Sequence, residues 1–257
     1  MSIKNGTKIN QLLNLQPNGV VLLSSWLTAN GYSLSLQKRY KKSKWLESIG
    51  SGAMMRYGDK LAYEGAIYAL QEQLSKSIHP GGKTALSLFG AVHYLSLSAK
   101  KVTLFGGEKE KLPAWLIKRK WGVALDYNST SFLPKDLGLK KIELKFFSIK
   151  VSSPARAIME CLYLVPKKQE LLECLELMEG LNNLRPDLVQ NLLEQCNSVK
   201  VKRLFLYMAE KSGHEWTDYL DREKIDLGSG KRSFGKNGVY ISKYQITVPK
   251  EVALHGE

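Results

Sequence analysis

No apolar run in these 257 residues approaches the roughly 18 needed to cross a bilayer. The amino terminus, MSIKNGTKIN, lacks the apolar core of a secretory signal, so the expected compartment is the cytoplasm. Cysteine is scarce. Cys161, Cys174 and Cys196 are odd in number, show no C-x-x-C spacing and fall in segments with helical apolar patterning. They read as small buried residues in a reducing compartment rather than as a metal or redox site. The four histidines, His79, His93, His214 and His255, are scattered, and there is no H-E-x-x-H or D-x-D. A catalytic triad or metal site would have to be assembled from unrelated places, so no catalytic residue, no metal and no obligatory cofactor is expected. Internal repeats and low-complexity linkers are also absent.

Acidic residues are the other shortage: 24 Asp and Glu face 38 Lys and Arg, a net charge of +14. The excess is uneven. Residues 1 to 60 and 61 to 150 each carry +7, residues 151 to 200 carry −2, and residues 201 to 257 carry +2. A polyanion should therefore meet the first 150 residues first. Hydrophobic residues at 44% and charged ones at 24% are ordinary for a globular protein. The length allows two or three modest cores.

Val20 to Tyr57 is the stretch that the basic half points to. Val20, Leu23 and Leu27, with Trp26 beside them, recur at helical spacing and predict a first helix that Asn30-Gly31 stops. Ser33 can cap a second helix. On that helix Leu36 and Tyr40 fall on one side, with Gln37, Lys38, Lys41 and Lys42 on the other. Leu34 and Ser35 lie at its start, where short side chains reach base edges or a thymine methyl. Trp45 to Ile49 then turns through Gly50-Ser51-Gly52 and returns as Ala53 to Tyr57, a β-hairpin wing with Arg56 near its base. Helix, glycine turn, basic helix and hairpin, in this order, make a winged helix-turn-helix of the kind that sits on DNA. A solvated charged face and a duplex-RNA grip through phosphates are the competing readings.

Beyond it, Ala62 to Leu74 and Thr84 to Leu88 read as helices, and Lys101 to Phe105 and Lys140 to Ile149 as strands. Pro154 opens a run of helices over Ala155 to Tyr163, Lys167 to Glu179, Pro186 to Cys196 and Lys200 to Lys211, with a short one at Trp216 to Leu220. Asn237-Gly238 signals a hairpin, and Tyr244, Ile246 and Val248 alternate as a final strand. The expected fold is α+β: residues 1–60 a winged helix-turn-helix, 61–150 a mixed α/β middle domain, and 151–257 a mainly helical domain ending in a β-hairpin.

His79-Pro-Gly-Gly-Lys-Thr84 ends like a phosphate-binding loop, but Ser77 stands where that motif needs its first glycine, and a helix precedes it in place of a strand. A glycine turn into a helix is expected, with Lys83 free to touch a phosphate of bound DNA. In Ser152 to Glu160, Ser153 reads as a cap, Pro154 as first-turn residue, and Arg156 and Glu160 as a structural i,i+4 pair. Lys200, Lys202 and Arg203, then Lys231, Arg232 and Lys236, form two basic clusters that are either solvated surface or an anionic contact.

Six blocks in this order resemble the AbiEi antitoxin family of type IV toxin-antitoxin systems. They are SSWLTANGYSLSLQKRYKKSKWLESIGSGAMMRYGD (Ser24 to Asp59), IHPGGKTALSLFGAVHYL (Ile78 to Leu95), LPAWL (Leu112 to Leu116), SSPARAIMECL (Ser152 to Leu162), VKRLFLYMAEKSGHEW (Val201 to Trp216) and IDLGSGKRSFGKNGVYISKYQITVP (Ile225 to Pro249). The resemblance implies a transcriptional repressor whose winged helix binds inverted repeats in its own operon promoter. It also implies a carboxy-terminal part that counteracts a nucleotidyltransferase-like toxin without a stable complex.

By position, the DNA-binding residues are Ser33, Leu34, Ser35, Gln37, Lys38, Arg39, Lys41, Lys42, Lys44, Ser51 and Arg56, and the antitoxin candidates are Arg203, Lys231 and Arg232. The expected partners are double-stranded DNA and the toxin, with no membrane, and the chain is a monomer in solution or a cooperative pair on DNA. Residues 61–257 alone are expected to keep the antitoxin action. An RNA-binding or non-specific nucleic-acid-binding protein is the alternative, and a nucleotide-using enzyme the second alternative.

Overall fold

The computed structural model describes residues 7–90 and 101–256. His93 and the end of the Ile78 to Leu95 block lie outside the described residues. In chain order the elements are α1 (Lys8–Leu15), β1 (Leu22–Leu23), α2 (Ser24–Ala29), α3 (Leu34–Lys42), β2 (Leu46–Gly50), β3 (Ala53–Arg56), α4 (Tyr63–Tyr68), β4 (His79–Pro80), α5 (Gly82–Leu88), β5 (Lys101–Gly106), α6 (Ala114–Lys118) and β6 (Ala124–Ser129). There follow β7 (Leu139–Glu143), β8 (Ser148–Ser152), α7 (Pro154–Leu164), α8 (Leu171–Glu179), α9 (Pro186–Gln195), α10 (Val199–Lys211), β9 (Arg232–Ser233), β10 (Val239–Ile241), β11 (Ile246–Val248) and α11 (Lys250–Ala253). This is the α+β class that the patterning indicates.

The chain groups into two compact units, and neither is a continuous stretch. One unit takes the chain up to His79 together with 101–129 and 141–150; the other takes 80–90, 130–140 and 151–256. The cuts expected at residues 60 and 150 do not describe this arrangement. Local contacts explain the first. α4 continues as a π-helical turn, Ala69–Gln73, and Gln73 closes onto β1: Leu23 N donates to its Oε1 at 2.9 Å and its Nε2 donates to Val21 O at 2.7 Å. Gly65 of α4 lies so near Gly19 that an added Cβ would sit 1.9 Å from the Gly19 carbonyl oxygen. A fragment starting at residue 61 would tear this packing apart, so it is not a test of separate function.

In the first unit, Ile9, Leu12, Val20, Leu22, Leu27, Tyr32, Tyr40, Leu46 and Met54 form one core. Their burial draws α1, α2, α3 and the hairpin β2–β3 together. Two readings of this region need correction. The first helix does not begin at Val20: Val20 to Leu23 are buried in extended chain, β1 pairs antiparallel with β3, and the helix starts only at Ser24. A run buried on all sides carries no periodicity to separate strand from helix. The helix α1, with Ile9 and Leu12 buried, was not anticipated. β5 and β6 pair in parallel, from Lys101 opposite Ala124 to Gly106 opposite Ser129, with α6 in the crossover.

In the second unit α7 is the centre. Ala157, Ile158, Met159, Cys161 and Leu162 are buried, and α5, α8, α9 and α10 pack around it. The three cysteines are buried and free. The carboxy-terminal sheet runs β10-β11-β9, with β10 antiparallel and β9 parallel to β11. Asn237-Gly238 therefore does not make the hairpin. The turn lies at Ser242 to Gln245, where Gln245 takes the left-handed conformation, and Asn237 spends its positive φ of 53° in the loop before β10.

Candidate nucleic-acid interface

α2 and α3 form the helix-turn-helix. Gly31, at φ +83°, reverses the chain between them, and Lys8 Nζ of α1 donates to its carbonyl at 3.0 Å. Ser33 caps α3: its Oγ accepts from Leu36 N at 3.3 Å and lies 2.9 Å from Ser35 Oγ. Leu36, Gln37 and Tyr40 face inward, Leu36 half-buried and the other two buried. Ser33, Leu34, Ser35, Lys38, Arg39, Lys41 and Lys42 are exposed. Leu34 is 61% exposed, an apolar side chain at the head of a polar face. No acidic residue interrupts α3, and Arg39, Lys41 and Lys42 occupy its last turn, where the helix dipole favours cations.

Gln37 corrects the expectation of a base contact. It is 3% exposed. Its Oε1 accepts from Ser24 Oγ at 2.7 Å, and its Nε2 donates to Tyr32 O at 2.7 Å, Thr28 Oγ1 at 3.1 Å and Ser24 O at 3.3 Å. The side chain turns inward because α2 and the following turn present acceptors that need a donor once α3 covers them. It clamps α2 to α3 and so sets the angle of the basic face. Gln37→Leu keeps the bulk and strands these groups. It should cost about 2 to 3 kcal/mol of stability, read as a lower urea midpoint. A variant as stable as the native chain would remove the clamp.

The hairpin is as expected in place and short in reach. β2 and β3 pair from Leu46 opposite Arg56 to Gly50 opposite Ala53, leaving Ser51 and Gly52 at the turn, with Gly52 at φ +72°. Ser51 is exposed, while the Gly52 carbonyl accepts from Ser24 N at 2.8 Å, which ties the wing tip to the start of α2. Lys44 is exposed, left-handed at φ 54°, and holds Nζ 5.9 Å above the Tyr57 ring.

Arg56 is a second correction. It donates to Asn18 Oδ1 at 2.5 Å and to the carbonyls of Leu13 and Gln16, closing the end of α1. Burial lowers its pKa, with Asp59 opposing. It is committed inside the unit rather than presented to a phosphate. Two exposed aromatic residues next to the basic helix were missed: Trp45, 46% exposed, and Tyr57, 52% exposed, bonded across the hairpin by Tyr57 N to Trp45 O at 3.1 Å. The run Lys-Ser-Lys-Trp carried that signal.

The candidates of the second unit divide. Lys231 and Arg232 are exposed, and Lys231 Nζ stands 5.2 Å from the centre of the Tyr240 ring. Arg203, expected at a surface, is 2% exposed. Its guanidinium donates to the carbonyls of Leu227 (2.8 Å), Gly228 (3.0 Å), Gly230 (2.6 Å) and Gln245 (3.4 Å). Lys200 is likewise turned inward, to Tyr163 O at 2.6 Å and Val165 O at 2.7 Å, and burial lowers its pKa. Lys83 pairs with Glu173 at 2.5 Å and is not free for a phosphate.

Glu210 joins three elements through Lys243 (2.6 Å), Arg222 (3.2 Å) and Tyr244. Partial burial alone would raise its pKa, but hydrogen bonds from Lys243, Tyr244 and Arg222 hold it at about 2, below the ordinary 4.5. A depressed carboxylate stabilises fully above its unfolded value and loses that contribution as pH falls through the folded one. Stability should therefore drop between about pH 4.5 and 2 by a component missing in Glu210→Gln. Identical urea midpoints against pH in the two proteins would contradict it.

Among the described residues no three His, Cys, Asp or Glu side chains stand together as a metal site, and no helix is long and apolar enough to cross a membrane. A cleft of about 290 Å³ at α9 is lined by Asp187, Glu194, Asp221 and Tyr219, the wrong sign for a polyanion.

A family model described as "Transcriptional regulator, AbiEi antitoxin N-terminal domain" matches residues 5–97. Another, "Transcriptional regulator, AbiEi antitoxin, Type IV TA system", matches residues 99–249. A search of curated proteins found no significant match. The crystal structure of the RV2827C protein from Mycobacterium tuberculosis is similar, with a TM-score of 0.58 at 12% identity, covering 95% of this chain and 90% of that one; at this identity the likeness shows the fold alone. Spanning the helix-turn-helix, the hairpin and nearly all of the rest, the two family matches place this chain in the AbiEi antitoxin family of transcriptional regulators of type IV toxin-antitoxin systems.

Proposed function

We propose that the chain represses its own operon by binding inverted repeats in the promoter through α3 and the wing, and that it counteracts a nucleotidyltransferase-like toxin. It does so as a binding protein without catalysis. The observation that carries the DNA half is the outer face of α3. Lys38, Arg39, Lys41 and Lys42 are exposed together, no acidic side chain lies among them, and Ser33, Leu34 and Ser35 lead the helix. Cations on one face neutralise phosphates, and the helix start, with small or apolar side chains, suits base edges and thymine methyls. Trp45 and Tyr57 border that face and extend it with aromatic surface.

A reporter driven by the promoter tests this reading. The intact chain should lower expression, and Lys41→Ala with Lys44→Ala, both at exposed positions, should restore much of it. Unchanged expression with and without the chain would remove the repressor role. For the antitoxin half the intact chain is required, because the units interleave along the sequence. Lys231→Ala with Arg232→Ala should then weaken protection from the toxin without relieving repression. Full protection by that variant would take both residues out of the antitoxin role.

A further inference from the structure

Arg203 carries its charge in the interior of the second unit. It is 2% exposed, yet every acceptor of its guanidinium is a backbone carbonyl; among the described residues no carboxylate pairs with it. Asp226, two residues before Gly228, accepts from Gly228 N at 2.8 Å through Oδ1. Lys200 and Lys202 stand on the same first half of α10, both turned away from solvent and, among the described residues, without an acidic partner, where the helix dipole disfavours cations. A buried charge compensated only by dipoles leaves a positive potential above it.

Against Arg203 lies the start of the segment Gly228 to Lys236, GSGKRSFGK, a glycine loop that runs into β9. Arg203 draws the carbonyls of Gly228 and Gly230 inward. In a trans peptide C=O and N–H point in opposite directions, so the N–H groups of Ser229 and Lys231 point outward. Gly228 and Gly230 take positive φ, +60° and +79°, which lets the chain alternate in hand and turn successive amides to one side. None of the described residues accepts from the N–H groups of Ser229, Gly230 or Lys231. Ser229, Lys231, Arg232 and Lys236 are all exposed.

We infer that this loop is a phosphate-binding site, in which the amides of Ser229 and Lys231 and the side chains of Lys231 and Arg232 hold a phosphate group over the buried Arg203. Backbone donors, a planar guanidinium and a lysine are the set that phosphate oxygens take. The phosphate belongs to a free nucleotide or to a nucleic-acid strand. The site is separate from the basic face of α3.

The test is calorimetric titration of the full-length protein with ATP, with inorganic phosphate and with a short 5′-phosphorylated single strand, alongside NMR of the Ser229 and Lys231 amides. At least one probe should bind saturably and move both amide signals. Lys231→Ala with Arg232→Ala, at exposed positions that should leave the fold intact, should weaken that binding about tenfold or more. ATP binding without strand binding assigns a nucleotide; tighter binding of the strand assigns a nucleic acid. No saturable binding by any probe, or equal binding by the variant, overturns the site. Lys38→Glu with Lys42→Glu, which weakens any strand binding at α3, should leave the ATP and phosphate titrations and the movement of the Ser229 and Lys231 amide signals unchanged; loss of these in that variant would move the site to α3 and equally overturn the proposal.

Discussion

Lys38→Glu with Lys42→Glu is expected to abolish binding to the duplex upstream of the chain's own gene while the protein stays folded. Both side chains are exposed on α3 and make no hydrogen bond or ion pair within the described residues, so the fold loses nothing when they change. One helical turn apart, they lie on the same strip of surface. Each reversal removes a phosphate neutraliser and adds a charge that the phosphates repel, which together should weaken binding by about a hundredfold or more at moderate salt. Circular dichroism and a urea midpoint like those of the native chain would verify the fold. Unchanged affinity in a folded double variant would remove α3 from the interface.

The largest effect on stability is expected from Glu160→Ala. Glu160 is fully buried and accepts from Arg156 Nε at 2.9 Å, Ser152 Oγ at 2.7 Å and Gly82 N at 2.9 Å. Arg156 in turn gives Nη1 to Pro134 O at 2.7 Å and Leu137 O at 2.5 Å. The pair thus binds the start of α5, the end of β8 and the loop before β7 to the centre of the second unit. Removing the carboxylate leaves the buried Arg156 charge unpaired and takes the acceptor from Arg156 Nε, the Ser152 hydroxyl and the Gly82 amide, and should cost about 3 to 5 kcal/mol. The urea transition of the second unit should move accordingly. Arg156→Met with Glu160→Leu, which removes both charges, should recover part of that loss. A Glu160→Ala chain as stable as the native one would show that the pair does not hold the unit together.

The helix-turn-helix was legible because its signals are local. Gly31, the Ser33 cap, the basic run to Lys42 and Ser51-Gly52 each impose a conformation on their neighbours. The same holds for Ser153 and Pro154 at the start of α7. What was not legible depends on partners far along the chain. Gln37 and Lys38 are adjacent polar residues of one helix, and only the carbonyls that α2 presents send one inward and leave the other in solvent. Arg56 and Arg203 look like surface charges until the end of α1 and the loop at Gly228 supply acceptors. Val20 to Leu23 lacked a period because every side chain is buried. The interleaving of the two units depends on packing between segments far apart in the chain, such as α6 on β2 with Trp115 against Gly50, to which composition is blind.

The proposed reading of a promoter by the exposed face of α3 is tested most directly by titrating the intact chain against the duplex upstream of its own gene, with scrambled duplex as competitor, at two salt concentrations. Binding should survive the competitor and weaken with salt by a slope of several ions, as expected for a face that displaces counterions and also contacts bases. Equal affinity for the two duplexes would contradict it, leaving a basic helix that holds phosphates and reads nothing.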